Sequence, residues 1–435
     1  MAAQAVRLDD ITDPGAPSQA MSSSPSSRVS YPCFLSPRYR VLLAGVFSQL
    51  LCIGVARFAY TPLLPVMQQQ TWLSDAQGGW LAALNYAGYM LGALVAASLH
   101  SIRLKDTLYR LTLLLAVFST AGMALADSFW LWAVMRFVAG FSSSGAMLLA
   151  SGLILHWLIS HGQRGELGIH FAGVGLGMLL AALAVELMLR LAFDWQAQWW
   201  GFTLLAVALL VPAWRWLPRP AKPVAGSGGS SHQQVSPPSR TFMRLMLAAY
   251  FCAGYGYVIS ATFIVAIVER EPLLAGAGNW TFALVGLAAA PGVMLWDLIA
   301  RRFGYLGALI SAMALQVVGI VLPALTQSLA GVLISAVLYG GTFLGCVSLV
   351  LTMAGRLYPQ SPARMMGRMT LAYGVAQIIA PALTGMLAEA TGHYDTGLWL
   401  AGGFVALGAL LLIWLRAVDQ TAQRLDDEAK ALPAG

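Results

Sequence analysis

The sequence predicts an all-α polytopic membrane protein with twelve transmembrane helices in two six-helix bundles, and three observations lead there. Of the 435 residues, 58% are apolar and only 10% charged, against about 45–50% and about 25% in soluble domains. Such a chain cannot cover a water-exposed surface, which excludes a soluble enzyme. Apolar stretches near the ~20 residues that cross a bilayer recur twelve times. A Pro-, Gly- and Ser-rich segment, Pro218 to Pro238, divides them six and six.

Residues 1–40 are rich in Ser and Pro, lack a cleavage-site pattern and predict a disordered cytoplasmic tail. The N-terminal bundle, residues 41–217, is expected to hold spans at 42–67, 80–99, 108–126, 129–156, 166–189 and 199–217. Residues 218–240 read as a cytoplasmic linker. The C-terminal bundle, residues 241–416, follows with spans at 245–268, 280–300, 305–326, 329–353, 369–389 and 396–415, and 417–435 is a second cytoplasmic tail. Residues 1–40 and 218–240 are expected to be dispensable for the fold. Pairs at an offset of 200, such as Cys52/Cys252, Gly54/Gly254, Trp80/Trp280 and Gly92/Gly292, form a collinear echo of duplication. Duplicated six-span halves are the plan of alternating-access transporters.

Orientation follows from the cations, which are retained in the cytoplasm. Of the 25 Lys and Arg, only Arg190 and Arg270 fall outside and Arg57 and Arg136 within spans. The rest lie in the tails and the even-to-odd loops, so the net charge of +7 is a topology signal and not a nucleic-acid patch. Cys33, Cys52, Cys252 and Cys346 have no metal-ligand spacing. No nucleotide or dinucleotide motif occurs, so no metal and no cofactor is expected. The expected partners are a small-molecule substrate and the lipid bilayer, with a monomeric chain and no nucleic acid.

Arg57 in span one and Arg136 in span four are the sharpest features. An Arg at membrane depth costs about 2.5–3.5 kcal/mol on insertion scales and needs a partner or a wet cavity. With no acid in the middle of their neighbouring spans, the two suit an anionic substrate, since guanidinium forks match a carboxylate. The other reading is that they cap carbonyls, or pair with Glu186, and hold helices together. Tyr60 lies one turn beyond Arg57, before Pro62 and Pro65, which are expected to interrupt the helix. In span two Asn85 and Tyr89 share a narrow face with Gly88 and Gly92, a close-packing pattern. Ser142, Ser143 and Ser144 in span four read as packing residues. His170 in span five could relay a proton or bond backbone at the interface. Glu186, four residues before Arg190, is the acid candidate for proton coupling or one half of a helix ion pair. Asp297 and Arg301 read as a cytoplasmic gate latch or, again, a pair within one helix. In the second bundle Tyr250, Tyr255, Tyr257, Thr262, Tyr339, Thr342, Tyr373 and Gln377 are cavity-facing candidates. They suit an organic anion with an apolar or aromatic body.

Arg136-Phe137-Val138-Ala139-Gly140, within the six-plus-six plan, resembles the fourth helix of the major facilitator superfamily. Asp297 with Arg301-Arg302-Phe303-Gly304 resembles its inner-loop motif, whose counterpart His100-Ser101-Ile102-Arg103-Leu104-Lys105 keeps the cations but lacks the Asp. Gly54 to Pro65 (GVARFAYTPLLP), Asn85-Tyr86-Ala87-Gly88-Tyr89 and Gly254-Tyr255-Gly256-Tyr257 are similar to the YbfB/YjiJ group of bacterial facilitators. The resemblance implies the major facilitator fold and a secondary active transporter of the inner membrane, not an enzyme. The substrate class expected from the residues is a small organic anion; the alternative is a proton-coupled exporter of drugs or amphipathic toxicants, against which stands the lack of a Gly-Pro pair in span five. A membrane-embedded enzyme or a sensor is disfavoured by scattered His and acids and by short tails.

Overall fold

The structure is a computed structural model that describes residues 36–163, 167–220, 239–357 and 362–421, with 423 and 426. Most of both expected tails and of the linker, with Cys33, Arg7, Arg28, Arg164, Lys222, Arg424 and Lys430, lies outside the described residues.

From Pro37 onward the chain forms one compact unit whose regular elements, among the described residues, are all helical. They are α1 (Pro37–Gln70), α2 (Asp75–Ser98), α3 (Ile102–Met123), α4 (Phe129–Ser160), α5 (Gly168–Arg190), α6 (Trp195–Trp216), α7 (Arg240–Arg270), α8 (Gly278–Phe303), α9 (Tyr305–Leu325), α10 (Leu329–Leu357), α11 (Pro362–Thr391) and α12 (Asp395–Val418). Eleven are long and apolar enough to cross a membrane; α3 is the exception. It starts six residues before the expected span because Asp106 and Arg110 neutralise each other one turn apart at 3.1 Å. Arg110 also donates to the Trp214 and Leu217 carbonyls at 2.9 and 3.1 Å, capping the end of α6. The sequence places Arg110 among loop cations, yet it is buried at 7% exposure.

Helix α1 is not regular. Leu50–Phe58 is wound as a π-helix and α-winding resumes at Tyr60. Beyond this register change the helix passes Pro62 and Pro65 without ending, unlike the expected interruption. A shorter π stretch, Gly145–Leu149, lies within α4. Such bulges loosen the i→i+4 ladder and leave carbonyls for other donors.

α2, α3 and α6 pack with α4 and α1 around the first half of the chain, and α7–α12 pack among themselves; α2 meets α11, α5 meets α8 and α1 meets α7 across the halves. Glycines set the closest approaches. A Cβ on Gly54 would lie 2.7 Å from the Gly177 Cα, and one on Gly140 would collide with the Asn85 carbonyl oxygen. Gly140→Ala is therefore expected to separate α4 from α2 at a cost of about 1–3 kcal/mol; an unchanged thermal midpoint in detergent would contradict this.

Starts of odd helices and ends of even ones share one end of the molecule, here the tail side. There Ser239 caps α7 and bonds Asp419 beyond α12. Asp426, 3% exposed, accepts from the Leu306 amide at 2.8 Å and caps α9. It packs on Gly304, whose φ of +87° suits glycine. Asp419 and Asp426, in the stretch expected as a cytoplasmic tail, thus both bond to the second bundle.

Candidate functional site

At the end opposite the tails, the halves are clasped. The Arg270 guanidinium meets Asp75 at 2.5 Å, and the Gln68 amide and Tyr394 hydroxyl donate to the same carboxylate oxygen at 2.7 and 2.9 Å. Arg270 also lies over the Tyr394 ring at 4.6 Å. Burial raises the Tyr394 phenol above its ordinary range and the Asp75 carboxylate adds to this, so the hydroxyl remains a donor. Glu389 of α11 accepts from Ser74 Oγ at 2.7 Å and from the Ala76 amide at 2.9 Å, at the N-terminus of α2. Thr61 donates to the Ala261 carbonyl at 2.7 Å, tying α1 to α7. Glu186 belongs to this layer, bonded to Arg190 at 3.0 Å within α5 and to the Asn279 amide of α8 at 3.3 Å. Nothing in the sequence near Asp75 signals this clasp, because its partners lie about 200 and 300 positions away.

Asp75→Asn removes the only carboxylate facing Arg270 in this cluster and is expected to favour opening of this end by about 1 kcal/mol, a several-fold population change. Spin labels on cysteines at the exposed positions Trp130 and Leu273 report it as a longer distance. An unaltered distance distribution would argue against the clasp.

Between the halves lies a cavity of about 200 Å³. Arg57 is the only charged residue among its lining residues. The side chain is 7% exposed and its guanidinium carbon sits over the rings of Tyr86 at 4.4 Å, Tyr89 at 4.8 Å and Phe58 at 5.5 Å. Its Nε is buried without a hydrogen-bond partner. The rings hold the cation through their π faces while leaving a donor unused.

From the cavity lining runs a row of near-parallel rings. Tyr250 stacks on Tyr373 at 4.4 Å, Tyr373 on Tyr257 at 5.9 Å, Tyr257 on Phe343 at 5.2 Å and Phe343 on Tyr339 at 5.4 Å. Gln377, Thr370 and Ser151 supply neutral polar groups.

Of the site residues read from the sequence, Arg57, Tyr89, Tyr257 and Gln377 line the cavity, with Tyr250 and Tyr373. Arg136, Tyr60, Asn85 and Tyr339 stand outside this lining. Arg136, 3% exposed, donates from Nη1 to the Ala56 and Arg57 carbonyls of the π-helical stretch at 3.1 and 3.2 Å, and stacks over Tyr60 at 4.4 Å. Asn85 donates to the Arg136 carbonyl at 2.9 Å, Tyr60 to the Gly78 carbonyl at 3.0 Å, and Tyr339 to the Tyr257 carbonyl at 2.8 Å. These four brace the backbone behind the cavity-lining residues. Tyr255 stacks on Phe404 at 4.1 Å; it, Thr262 and Thr342 are also outside the lining. Phe58, Phe171, Phe343, Ser151 and Thr370 line it without having been singled out; their sequence carries only an apolar run.

His170 is fully buried, with Nε2 3.0 Å from Gln49 Nε2 and 2.9 Å from Ser151 Oγ. Ser151 connects it to the cavity. Asp297 and Arg301 pair at 2.8 Å within α8, near the tail side and half exposed.

The sequence matches the family described as "Uncharacterised MFS-type transporter YbfB" over residues 49–413. A relative from Bacillus subtilis (strain 168), described as the MFS-type transporter YceJ, is 26% identical over 292 residues, 62% of this chain and 69% of the relative. The Hexuronate transporter of the same organism is 23% identical, covering 86% of this chain and 92% of its own length. The Niacin transporter NiaP of Acinetobacter baylyi is 30% identical over 132 residues, 30% of this chain and 29% of that protein. Among solved structures, the D-xylose-proton symporter superposes with a TM-score of 0.68 at 14% identity, over 87% of this chain and 97% of its own. The nucleoside transporter NupG gives 0.67 at 14% identity, over 87% and 100%. These folds are those of transporters and not enzymes. The chain is thus a multi-pass membrane protein with the major facilitator fold, and it belongs to the YbfB-type family of MFS transporters.

Proposed function

We propose that this protein is a secondary active transporter that carries a small organic anion across the bacterial inner membrane by alternating access. The observation that carries the reading is Arg57: a buried cation at the wall of the central cavity, with an unused donor and no carboxylate among the lining residues. A carboxylate would neutralise it through charge-assisted hydrogen bonds, and the stacked rings of the lining would take an apolar or aromatic body. Both niacin and hexuronate, named for two of the relatives, are carboxylates.

The cation count puts the tail side, and both termini, in the cytoplasm. The clasped end then faces outward, and residues 41–217 and 241–416 rock about the cavity. Proton coupling is assigned to His170 in preference to Glu186: His170 reaches the cavity through Ser151, and its side-chain hydrogen-bond partners among the described residues, Gln49 and Ser151, are neutral. Glu186 is engaged in the outer clasp.

The experiment is a thermal-shift screen of the purified protein against aromatic and aliphatic carboxylates, their amides, and amines. Carboxylates are expected to stabilise it where the matching amides do not. Stabilisation by amines, or equally by acid and amide, would refute the anion reading and favour an exporter of amphipathic compounds.

A further inference from the structure

Near the tail side, a second cavity of about 180 Å³ lies between α2 and α11, bounded also by α3 and α4. It shares Leu148 and Thr370 with the central cavity, so the two are consecutive chambers. Lys105 is the only charged residue among its lining residues, and Thr370 carries the only other hydrogen-bonding side chain. Lys105 is partly buried, and among the described residues its ammonium has no ion pair or hydrogen bond. The adjacent Asp106 is committed to Arg110, and the loop before α3 has no acid, His100 to Lys105.

The chamber has room. A Cβ on Gly152 or on Gly367, both in its wall, would meet nothing within 4 Å. On the other flank, α5 and α8 remain in contact near the tail side, where a Cβ on Gly168 would strike the Met294 methyl. This chamber therefore lies on the flank where the halves part.

We propose that this chamber is a docking vestibule for the transported solute, where the Lys105 ammonium holds its carboxylate between the tail-side solution and Arg57. The inference rests on the organic-anion reading of the central cavity. A cation in a low-dielectric wall, without a neutralising partner, concentrates anions locally. A Lys, as a flexible and hydrated point charge, holds a carboxylate more loosely than an Arg fork does. Arg57 caged by rings is the tight site, Lys105 the loose one, and a path needs a site that releases what it attracts.

The test uses small charged thiol reagents, so it does not depend on knowing the solute. A cysteine at Gly152 in a Cys33→Ser background reports on the vestibule, and one at Val347 reports on the central cavity; Cys52, Cys252 and Cys346 are buried. Each is labelled with methanethiosulfonates bearing a sulfonate or a trimethylammonium group. At Gly152 the sulfonate-to-ammonium rate ratio is expected to fall about three- to tenfold in Lys105→Gln and to be retained in Lys105→Arg. An unchanged ratio in Lys105→Gln overturns the vestibule. At Val347 the ratio should fall in Arg57→Gln; if it alone stays unchanged, the anion reading of the central cavity fails and the vestibule proposal falls with it, while a loss at Val347 only in Arg57→Gln, with no Lys105 effect at Gly152, leaves that reading standing. The same rates are measured in nanodiscs with and without phosphatidylglycerol. Slowing by that lipid that Lys105→Gln relieves would assign the cation to a lipid headgroup and overturn the proposal.

Discussion

Arg57→Gln is expected to abolish carboxylate binding, with a loss of about 100-fold or more, while the protein still folds. Truncating one partner of a buried charged hydrogen-bonded pair costs about 2–5 kcal/mol, and every 1.4 kcal/mol is about tenfold. Folding should survive because Arg57 holds no ion pair among the described residues and contributes cation–π contacts to Tyr86, Tyr89 and Phe58, each about 0.5–2 kcal/mol. Arg57→Lys separates two kinds of recognition. A point charge survives it, whereas a planar fork does not. The measurement is calorimetric binding of the carboxylate that stabilises the wild type most, beside the thermal midpoint of each variant. Wild-type affinity in both variants would remove Arg57 from the site.

The second large effect is expected at Arg136, and it should appear first in stability. Arg136→Met keeps length and apolar bulk but strips the donor from the Ala56 and Arg57 carbonyls, which lie in the π-helical stretch. Each buried acceptor left unsatisfied costs about 1–3 kcal/mol. The thermal midpoint should fall by several degrees, and carboxylate affinity should fall with it, because the backbone that carries Arg57 loses its brace. Arg136→Lys, which can still reach one carbonyl, should recover part of the stability. If Arg136→Met melts like the wild type, the bracing role is wrong.

The two arginines mark how far the sequence could be read. Both were visible because a charge inside an apolar run is costly, but composition cannot tell a cation that faces a cavity from one that faces a carbonyl. That distinction depends on the winding of α1 at Leu50–Phe58, and a π-helix has no residue signature in this chain. The spans themselves were legible because the bilayer demands long apolar runs. α3 was placed too late because Arg103, Lys105, Asp106 and Arg110 look like a loop; the cost of Asp106 and Arg110 is met by their pairing and by the carbonyls at the end of α6. The ring wall was largely legible: Tyr250, Tyr257, Tyr339 and Tyr373 were picked out, while Phe343 was indistinguishable from core. The clasp of Asp75, Arg270 and Tyr394 joins three distant stretches, and no local pattern anticipates it.

Asp426 has a consequence for how the protein is made. It caps the Leu306 amide at the start of α9, yet it is synthesised 120 residues after Leu306. Until residue 426 has been made, α9 must enter the bilayer with that amide, at the positive end of its helix dipole, met only by water or headgroups at the interface. The Ser239 to Asp419 bond is equally out of reach. Insertion and docking are therefore separate events here. Residues that follow α12 close the second half of the molecule, and a nascent chain arrested before them should be integrated in the membrane but looser, and easier for a protease to cut, at the α8–α9 turn.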